Sequence, residues 1–266
     1  MTTQNRLIGA VIAMQVELNH LLECGVVTGQ ETDGPWQEYT VTIGSRTVVA
    51  VRCGIGMVNA AAATEHLITK HRPAIVVNSG CTGAHIPSLM PGDVVIGNEV
   101  VYHASMQILA SGEERYTGFN FESIGGTIRA NALPSDAKLL EVAHRVARDT
   151  PLPAWPDKFS WPAHEPRRAP QILTGPVASA DIWTQAIERI DLLHQRHGTL
   201  CEDMEAAAIA QIAALHGIPY LTIKDISNNE RHAQTDLIGD LAGFPMEEAG
   251  RRAAILLSAV IANWDA

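Results

Sequence analysis

Four polar or glycine-rich segments each follow a predicted strand, and their residue types are those that bind or react with ligands. The segments are 13–17, 53–59, 79–84 and 225–229. In open α/β sheets, ligands bind outside the carboxyl ends of strands, so segments that recur there predict one shared pocket. A fifth segment, 202–205 (Glu-Asp-Met-Glu), opens a nearly all-apolar helix, where the helix dipole favours a carboxylate. Its carboxylates predict either a ligand contact or a simple helix cap.

Several kinds of chemistry are disfavoured by motifs that the sequence lacks. Gly54 and Gly56 have neither the third glycine of a dinucleotide fingerprint nor the Gly-Lys-Ser/Thr ending of a P-loop, so they predict tight turns. No HExxH, GxSxG or clustered metal-ligand set is present, which argues against metal and serine-triad chemistry. Cys81 and His103 leave a thiol nucleophile open, although an inert buried cysteine is the commoner state. We expect no metal and no cofactor.

The elements that must position these segments are predicted from the hydrophobic pattern. Short apolar, β-branched runs alternate with alanine-rich stretches, as is typical of an α/β domain with a largely parallel or mixed sheet. Strands are predicted at 6–12, 47–52, 74–78, 93–97 and 219–226. Helices are predicted at 14–24, 59–71, 135–148, 180–197, 204–216 and 246–263. We expect a single domain over residues 1–266.

The composition restricts the class of partner. The 266 residues include 19 Lys and Arg against 29 Asp and Glu, for a net charge of −10 with histidines neutral. So acidic a chain lacks the basic stripe with which a general nucleic-acid binder contacts phosphates, and it has little attraction for an anionic membrane surface. Because 46% of the residues are hydrophobic, the chain can bury a full core. A small molecule is the expected ligand.

The cysteines and the apolar runs predict a cellular compartment. The four cysteines form no CxxC pair and have no histidine at zinc-finger spacing. The apolar run 7–14 continues straight into polar residues, unlike a signal peptide. The longest apolar run near the C-terminus, 253–262, is about half of the ~20 residues that a membrane span requires. Free thiols without an export signal predict a cytoplasmic protein.

A segment at about 150–171 differs from the rest of the chain in composition. It holds six prolines and two tryptophans within twenty residues, too many prolines for a helix or a central strand. We interpret it as a long insertion, not a domain boundary. Two placements stay open: a surface insertion with its tryptophans packed down, or a segment that overhangs the pocket or joins a subunit contact.

Eight stretches of the sequence occur in the order seen in one enzyme family. They are 9–17, 53–61, 77–83, 92–95, 102–103, 179–183, 202–210 and 226–228. With these motifs the chain resembles 5′-methylthioadenosine/S-adenosylhomocysteine nucleosidases over nearly its whole length, except residues 107–170. The resemblance implies a nucleoside phosphorylase-like fold with a central mixed, twisted, partly barrel-like sheet flanked by helices. It also implies a homodimer that hydrolyses the N-glycosidic bond of a purine nucleoside without metal or cofactor.

The resemblance further implies a role for each site residue. Glu17 matches the glutamate that orients and deprotonates the attacking water, and Glu205 matches the carboxylate that grips the ribose hydroxyls. Trp183 falls where the family has an aromatic ring that stacks on the purine. The other residues implied to contact the substrate are Met14, Cys81, Thr82, Gly83, Asp203, Met204 and Ser227. Such a site suits cleavage through an oxocarbenium-like ribosyl cation, which needs help for the water, the sugar and the leaving base.

One position departs from the family pattern at the leaving base. The family has an aspartic acid after the serine, where it protonates purine N7, and this chain has Asn228 after Ser227. An amide donates a hydrogen bond but delivers no proton. Asn228 suits adenine and 6-oxopurines alike, so both bases stay open, as does a non-catalytic relative that only binds nucleosides. If the match is displaced by a few residues, Asp225 or Glu230 is the acid instead.

Phosphorolysis is a further alternative, and it depends on a cation for phosphate. The hexameric phosphorylases related to these nucleosidases place an arginine in the first strand–helix loop, and residues 13–18 contain none. Arg52 is the only basic residue just before the second loop, and on a strand it points either inward or outward. Hydrolysis is therefore the expected reaction.

Overall fold

The computed structural model of the protein describes residues 6–234 and 244–265. Its strands are β1 (Ile8–Ile12), β2 (Val26–Asp33), β3 (Trp36–Ile43), β4 (Arg46–Arg52), β5 (Ile75–Ala84), β6 (Val94–Tyr102), β7 (Met106–Ile108), β8 (Glu114–Tyr116), β9 (Phe119–Ser123), β10 (Gly126–Ala130), β11 (Leu133–Pro134), β12 (Ile172–Ser179), β13 (Cys201–Asp203) and β14 (Tyr220–Asn228). Its helices are α1 (Gln15–Glu23), α2 (Met57–His71), α3 (Ala137–Ala147), α4 (Ile187–His197), α5 (Ala206–Leu215) and α6 (Arg251–Asn263), with a 3-10 turn at Met246–Glu248.

A ten-stranded mixed sheet forms the centre of the molecule. Its strands run in the order β11-β6-β12-β13-β5-β1-β4-β3-β2, and β14 pairs with both β5 and β6. The strands β5, β14, β6, β12 and β13 therefore pair in a closed ring, so this part of the sheet is a barrel. β1 lies parallel to β5 and to β4, whereas β13 runs antiparallel to the end of β5. The predicted fold class, a mixed and partly barrel-like sheet flanked by helices, is confirmed.

Helices cover both faces of the sheet because each buries apolar residues against it. α1, α3 and α6 share one hydrophobic cluster with β1, and α2 and α5 share a second cluster with the opposite face. At the start of α3, the Asp136 carboxylate accepts hydrogen bonds from the N–H groups of Lys138 and Leu139, both at 3.0 Å. None of the helices within residues 6–234 and 244–265 is long and apolar enough to cross a membrane.

Two predicted helices begin at least five residues later than expected, for a physical reason in each case. The helix predicted at 180–197 starts at Ile187, because tertiary hydrogen bonds engage the residues before it: the Asp181 carboxylate accepts from the N–H of Met57, and the N–H of Thr184 donates to Glu202, both at 2.7 Å. The helix predicted from 246 is a 3-10 turn followed by α6 from Arg251. Gly250, with φ +77°, separates the two.

Several strands lie where the sequence pattern predicted none: β2, β3, β7, β8, β9, β10, β11, β12 and β13. The strand β2 exposes seven of its eight residues, so it lacks the alternation that marks a half-buried strand. It pairs with β3 at the outer edge of the sheet. The strand β13 has only three residues, and its pairing with β5 and β12 joins segments that are distant in the chain.

The proline-rich segment 150–171 packs against α6 and the start of β6. Trp155 is buried, and the guanidinium of the fully buried Arg252 lies 5.0 Å from the centre of its ring. Arg252 also donates to the carbonyls of Pro153 and Ala154, both at 2.8 Å. At the other end of the segment, Arg168 forms an ion pair with the buried Asp93. The lining of the pocket described below contains no residue of this segment.

Candidate active site

A pocket lies at the carboxyl ends of β1, β5 and β14, with β13 and the loop after β12 supplying the opposite wall. It holds about 690 Å³ of space between atoms, including its open mouth. All eleven site residues named from the sequence line this pocket: Met14, Glu17, Cys81, Thr82, Gly83, Trp183, Asp203, Met204, Glu205, Ser227 and Asn228. The polar strand ends thus meet in one place.

Glu17 lies in the first turn of α1 and is 3% exposed. Its Oε1 accepts a hydrogen bond from the N–H of Cys81 at 2.7 Å, and its Oε2 accepts one from the N–H of Met14 at 3.0 Å. Burial raises the pKa of Glu17, while the nearby Lys224 ammonium and the two backbone donors act in the opposite direction. A carboxylate fixed by two donors and removed from water has the position and basicity of a general base.

Glu205 directly precedes α5, yet its side chain does not cap that helix. The cap is Asp203, whose carboxylate accepts from the N–H of Ala206 and lies 2.6 Å from the Nζ of buried Lys224. Glu205 Oε1 instead accepts from the N–H of Gly56 at 2.9 Å. Burial, reinforced by the negative charge of Asp203, raises the pKa of Glu205. The simple-cap interpretation therefore applies to Asp203 and not to Glu205.

Asn228 is held by a polar neighbour on each side of its amide. Its Nδ2 donates to Oε1 of Glu230 at 2.8 Å, and its Oδ1 accepts from the hydroxyl of Ser227 at 2.9 Å. Because a carboxylate oxygen cannot donate, these two contacts fix which end of the amide is which. Each end keeps capacity for one more hydrogen bond toward the pocket.

Comparison with known proteins decides the family. A family model described as "Phosphorylase superfamily" matches residues 7–262, which is nearly the whole chain. The chain belongs to the phosphorylase superfamily. A 5′-methylthioadenosine/S-adenosylhomocysteine nucleosidase of Geobacillus kaustophilus is 31% identical over 75% of this chain and 71% of its own length. The same enzyme of Desulfotalea psychrophila is 27% identical over 92% of both chains. The resemblance to these nucleosidases is confirmed.

Solved structures of two other enzymes share the fold. The nucleosidase of Neisseria meningitidis, in complex with methylthio-immucillin-A, superimposes with a TM-score of 0.74 at 24% identity, covering 97% of this chain and 100% of that one. A futalosine hydrolase of Helicobacter pylori superimposes with a TM-score of 0.76 at 20% identity, covering 98% and 99%. At these identities the likeness establishes the fold.

The same pocket contains further polar residues that the sequence did not single out as site residues. Glu202, Thr184 and His85 line one wall, beside Trp183. Glu202 Oε1 accepts from the N–H of Thr184 at 2.7 Å. Behind this wall lies His103, whose pKa burial lowers to about 4, so its ring is neutral. The sequence signal was weak, because Glu202 stands beside the more familiar Asp-Met-Glu and Thr184 directly follows Trp183.

The structure weighs against three of the alternatives. Burial, with the charges of Glu17 and Asp225, raises the pKa of Cys81 well above its usual value, which is the opposite of an activated thiolate. Asp225 does not line the pocket: its two oxygens accept from the N–H groups of Gly250 and Arg252 at the start of α6. Arg52 points outward and donates to Gln15. Of the two alternative acids, only Glu230 lines the pocket.

Proposed function

We propose that the protein hydrolyses the N-glycosidic bond of a purine nucleoside, releasing the free base and a ribose derivative. The observation that carries the proposal is the buried Glu17, fixed by two backbone N–H donors in a pocket that also contains Glu205. A protein that only binds nucleosides has no use for a buried base held in this way. The curated relatives named above are hydrolases of this class.

In the proposed reaction, Glu17 takes a proton from a water molecule as the bond between sugar and base breaks. The oxygen of that water adds to the anomeric carbon, and the bonding electrons leave with the purine. The departing base takes a proton from solvent, and Glu17 returns the proton that it accepted. Glu205 binds the ribose hydroxyls, and in its ionised form it stabilises the developing ribosyl cation. Asn228 donates a hydrogen bond to the leaving base.

The remaining pocket residues are proposed to bind the substrate. Trp183 stacks on the purine, Met204 and Met14 flank the sugar, and the end of β5, with Cys81, Thr82 and Gly83, faces the anomeric carbon. Asp203 and Ser227 act by holding their neighbours, since Asp203 is engaged by α5 and by Lys224, and Ser227 donates to Asn228.

Water is proposed as the nucleophile instead of phosphate. Within the described residues, the pocket lining contains no lysine or arginine, and the buried Lys224 is engaged by Asp203. A phosphorylase has to compensate the charge of a phosphate dianion, which calls for cationic side chains at the sugar.

A panel of purine nucleosides tests the proposal, with release of free base measured in buffer with and without phosphate. We expect release without phosphate, and we expect Glu17→Gln to lower turnover by at least ~10²-fold while nucleoside binding is kept. Glu23→Gln, on the exposed side of the same helix, is the matched control and leaves turnover unchanged. Binding without release by the parent protein would support the second candidate, a non-catalytic nucleoside binder, which Asn228 favours. Turnover that Glu17→Gln changes less than threefold would remove Glu17 from the mechanism.

We also propose that the protein is a homodimer in the cytoplasm. Exposed aliphatic side chains near the pocket support a subunit contact: Val58 is 77% exposed, Ile55 54% and Ile182 39%. The four cysteines are free, as suits a reducing compartment. Light scattering coupled to size exclusion tests the dimer, and Val58→Asp is expected to yield monomers. A monomeric parent protein would contradict it.

A further inference from the structure

Glu202 is a buried carboxylate with one oxygen that has no hydrogen-bond partner. The residue is 8% exposed and lines the pocket beside Trp183 and Asn228. Its Oε1 is occupied by the N–H of Thr184, whereas its Oε2 accepts no hydrogen bond. The nearest imidazole nitrogens, Nε2 of His85 at 3.3 Å and Nε2 of His103 at 3.9 Å, are not in hydrogen-bond geometry. A buried unpartnered carboxylate oxygen calls for a donor, and here the pocket is where a ligand would supply it.

We propose that Glu202 accepts a hydrogen bond from N1–H of the substrate's base, and that it makes the site selective for 6-oxopurine nucleosides over adenine nucleosides. This inference rests on the proposed function, because it assigns the base of the nucleoside that the same pocket cleaves. It assigns a specificity-determining residue, and the base class follows from the chemistry of that residue.

Glu202 and Asn228 stand on opposite sides of Gly83, on neighbouring strands. In the sheet, Glu202 of β13 is paired with Gly83 of β5, and Asn228 of β14 is paired with Gly83 from the other side. The register of β14 shifts between Ile226 and Asn228, and the side chains of Glu202 and Asn228 both line the pocket. Gly83 has no side chain, and a Cβ there would lie 3.5 Å from Nδ2 of Asn228. The two polar side chains therefore flank an open floor on which a planar base fits.

The order of polar atoms around a purine matches the arrangement of Asn228 and Glu202. N7, the substituent on C6, and N1 follow one another along one edge of the base. With Asn228 at N7 and the C6 substituent, the next atom, N1, faces Glu202. In a 6-oxopurine N1 carries a hydrogen and donates, whereas in adenine N1 is a bare acceptor.

Glu202 distinguishes the two bases, whereas Asn228 and Thr184 do not. The amide of Asn228 serves both, because it offers a donor and an acceptor. The N–H of Thr184, which would satisfy adenine N1, is already engaged by Glu202 Oε1. The hydroxyl of Thr184 donates or accepts, so it does not select. An adenine would thus bring an acceptor against a carboxylate and leave both unpaired in a buried site.

The experiment compares matched pairs of substrates and bases. Inosine is compared with adenosine, and 5′-methylthioinosine with 5′-methylthioadenosine, by kcat/KM, while the binding of hypoxanthine and adenine is measured by calorimetry. Sites built to hydrogen-bond a substrate N–H reject the analogue that lacks it by up to ~10⁴-fold, and we expect at least ~100-fold in favour of the 6-oxopurine.

The variant Glu202→Gln is expected to lower that ratio at least ~10-fold, because its amide can turn to donate to adenine N1. The matched control is Glu38→Gln. Glu38 is equally buried, but it pairs with His66, Lys70 and His71 at the outer edge of the sheet, so the ratio is expected to stay within about twofold. Hypoxanthine is also compared with 1-methylhypoxanthine on the parent protein, a measurement that does not need the variant to fold. We expect at least ~100-fold weaker binding of the methylated base.

The outcomes separate this inference from the proposed function. Equal or faster cleavage of the adenine member of each pair, or equal binding of hypoxanthine and 1-methylhypoxanthine, overturns the role of Glu202 and leaves the nucleosidase standing. Tighter binding of hypoxanthine without cleavage of any nucleoside supports the role of Glu202 and overturns the nucleosidase.

Discussion

Asn228→Asp tests the leaving-group chemistry through a contact seen in the structure. Nδ2 of Asn228 lies 2.8 Å from Oε1 of Glu230, and both residues are more than nine-tenths buried. The substitution replaces this donor by an oxygen that faces another carboxyl oxygen. Two ionised carboxylates at that separation repel by roughly 6 kcal/mol at an effective dielectric constant of 20, so the pair retains one proton at neutral pH.

That retained proton is what the amide lacks. It is positioned for N7 of the base, and general-acid help is worth ~10²–10⁴-fold in rate. We expect Asn228→Asp to raise kcat/KM for adenosine relative to inosine by a factor in that range. The kcat/KM for inosine is expected to fall at the same time, because an acid with one proton cannot both accept from N7–H and donate to O6 as the amide does.

The assay is base release from both nucleosides over a range of concentrations. We also expect the gain in kcat/KM for adenosine to shrink when Glu230→Gln is added, because the new carboxyl then faces no second carboxyl. An unchanged inosine-to-adenosine ratio of kcat/KM in Asn228→Asp, together with loss of base release in Glu230→Gln alone, would refute this assignment, since Glu230 would then be the acid.

Two further outcomes are expected from other carboxyl groups. Glu205→Ala is expected to lower turnover and to weaken discrimination between ribosides and 2′-deoxyribosides, because the contact of Glu205 to the sugar acts in both the ground and transition states. If the variant discriminates between these substrates as the parent protein does, Glu205 has only a structural role. Asp225→Asn is expected to flatten the pH dependence of stability. Burial raises the pKa of Asp225 to about 7. The stabilisation of the fold by protonated Asp225 is therefore complete below about pH 4 and is lost as the pH rises to 7. Urea unfolding at several pH values measures this slope, which is at most about 1.4 kcal/mol per pH unit for one proton; a slope identical in both proteins would contradict it.

The pocket was predictable because its residues follow strands. Glu17, Cys81 and Asn228 each come directly after or at the end of an apolar run, and parallel strands end at the same edge of a sheet. The resemblance to nucleosidases added the roles of these residues. The edge strand β2 was not predictable, since its exposed residues carry no hydrophobic period.

The sequence placed Glu202 among the carboxylates of the segment 202–205 but did not single it out, because its place in the pocket arises from non-local pairing. It faces the pocket only because the three-residue strand β13 joins β5 and β12. The segment before α4 was mispredicted as helix for a similar reason. Its backbone forms hydrogen bonds with Glu202, and its Asp181 accepts from the start of α2; neither contact is visible in local propensity.

Glu17 is supported by a residue that lies 233 positions further along the chain. Gly250 lies against Glu17 so closely that a Cβ there would be 2.8 Å from Cγ of Glu17. Ribosomal synthesis proceeds from the amino end, so Glu17 emerges long before Gly250 and the start of α6. The proposed base therefore reaches its final environment only after translation has passed Gly250. A nascent chain shorter than this carries the carboxylate without its support.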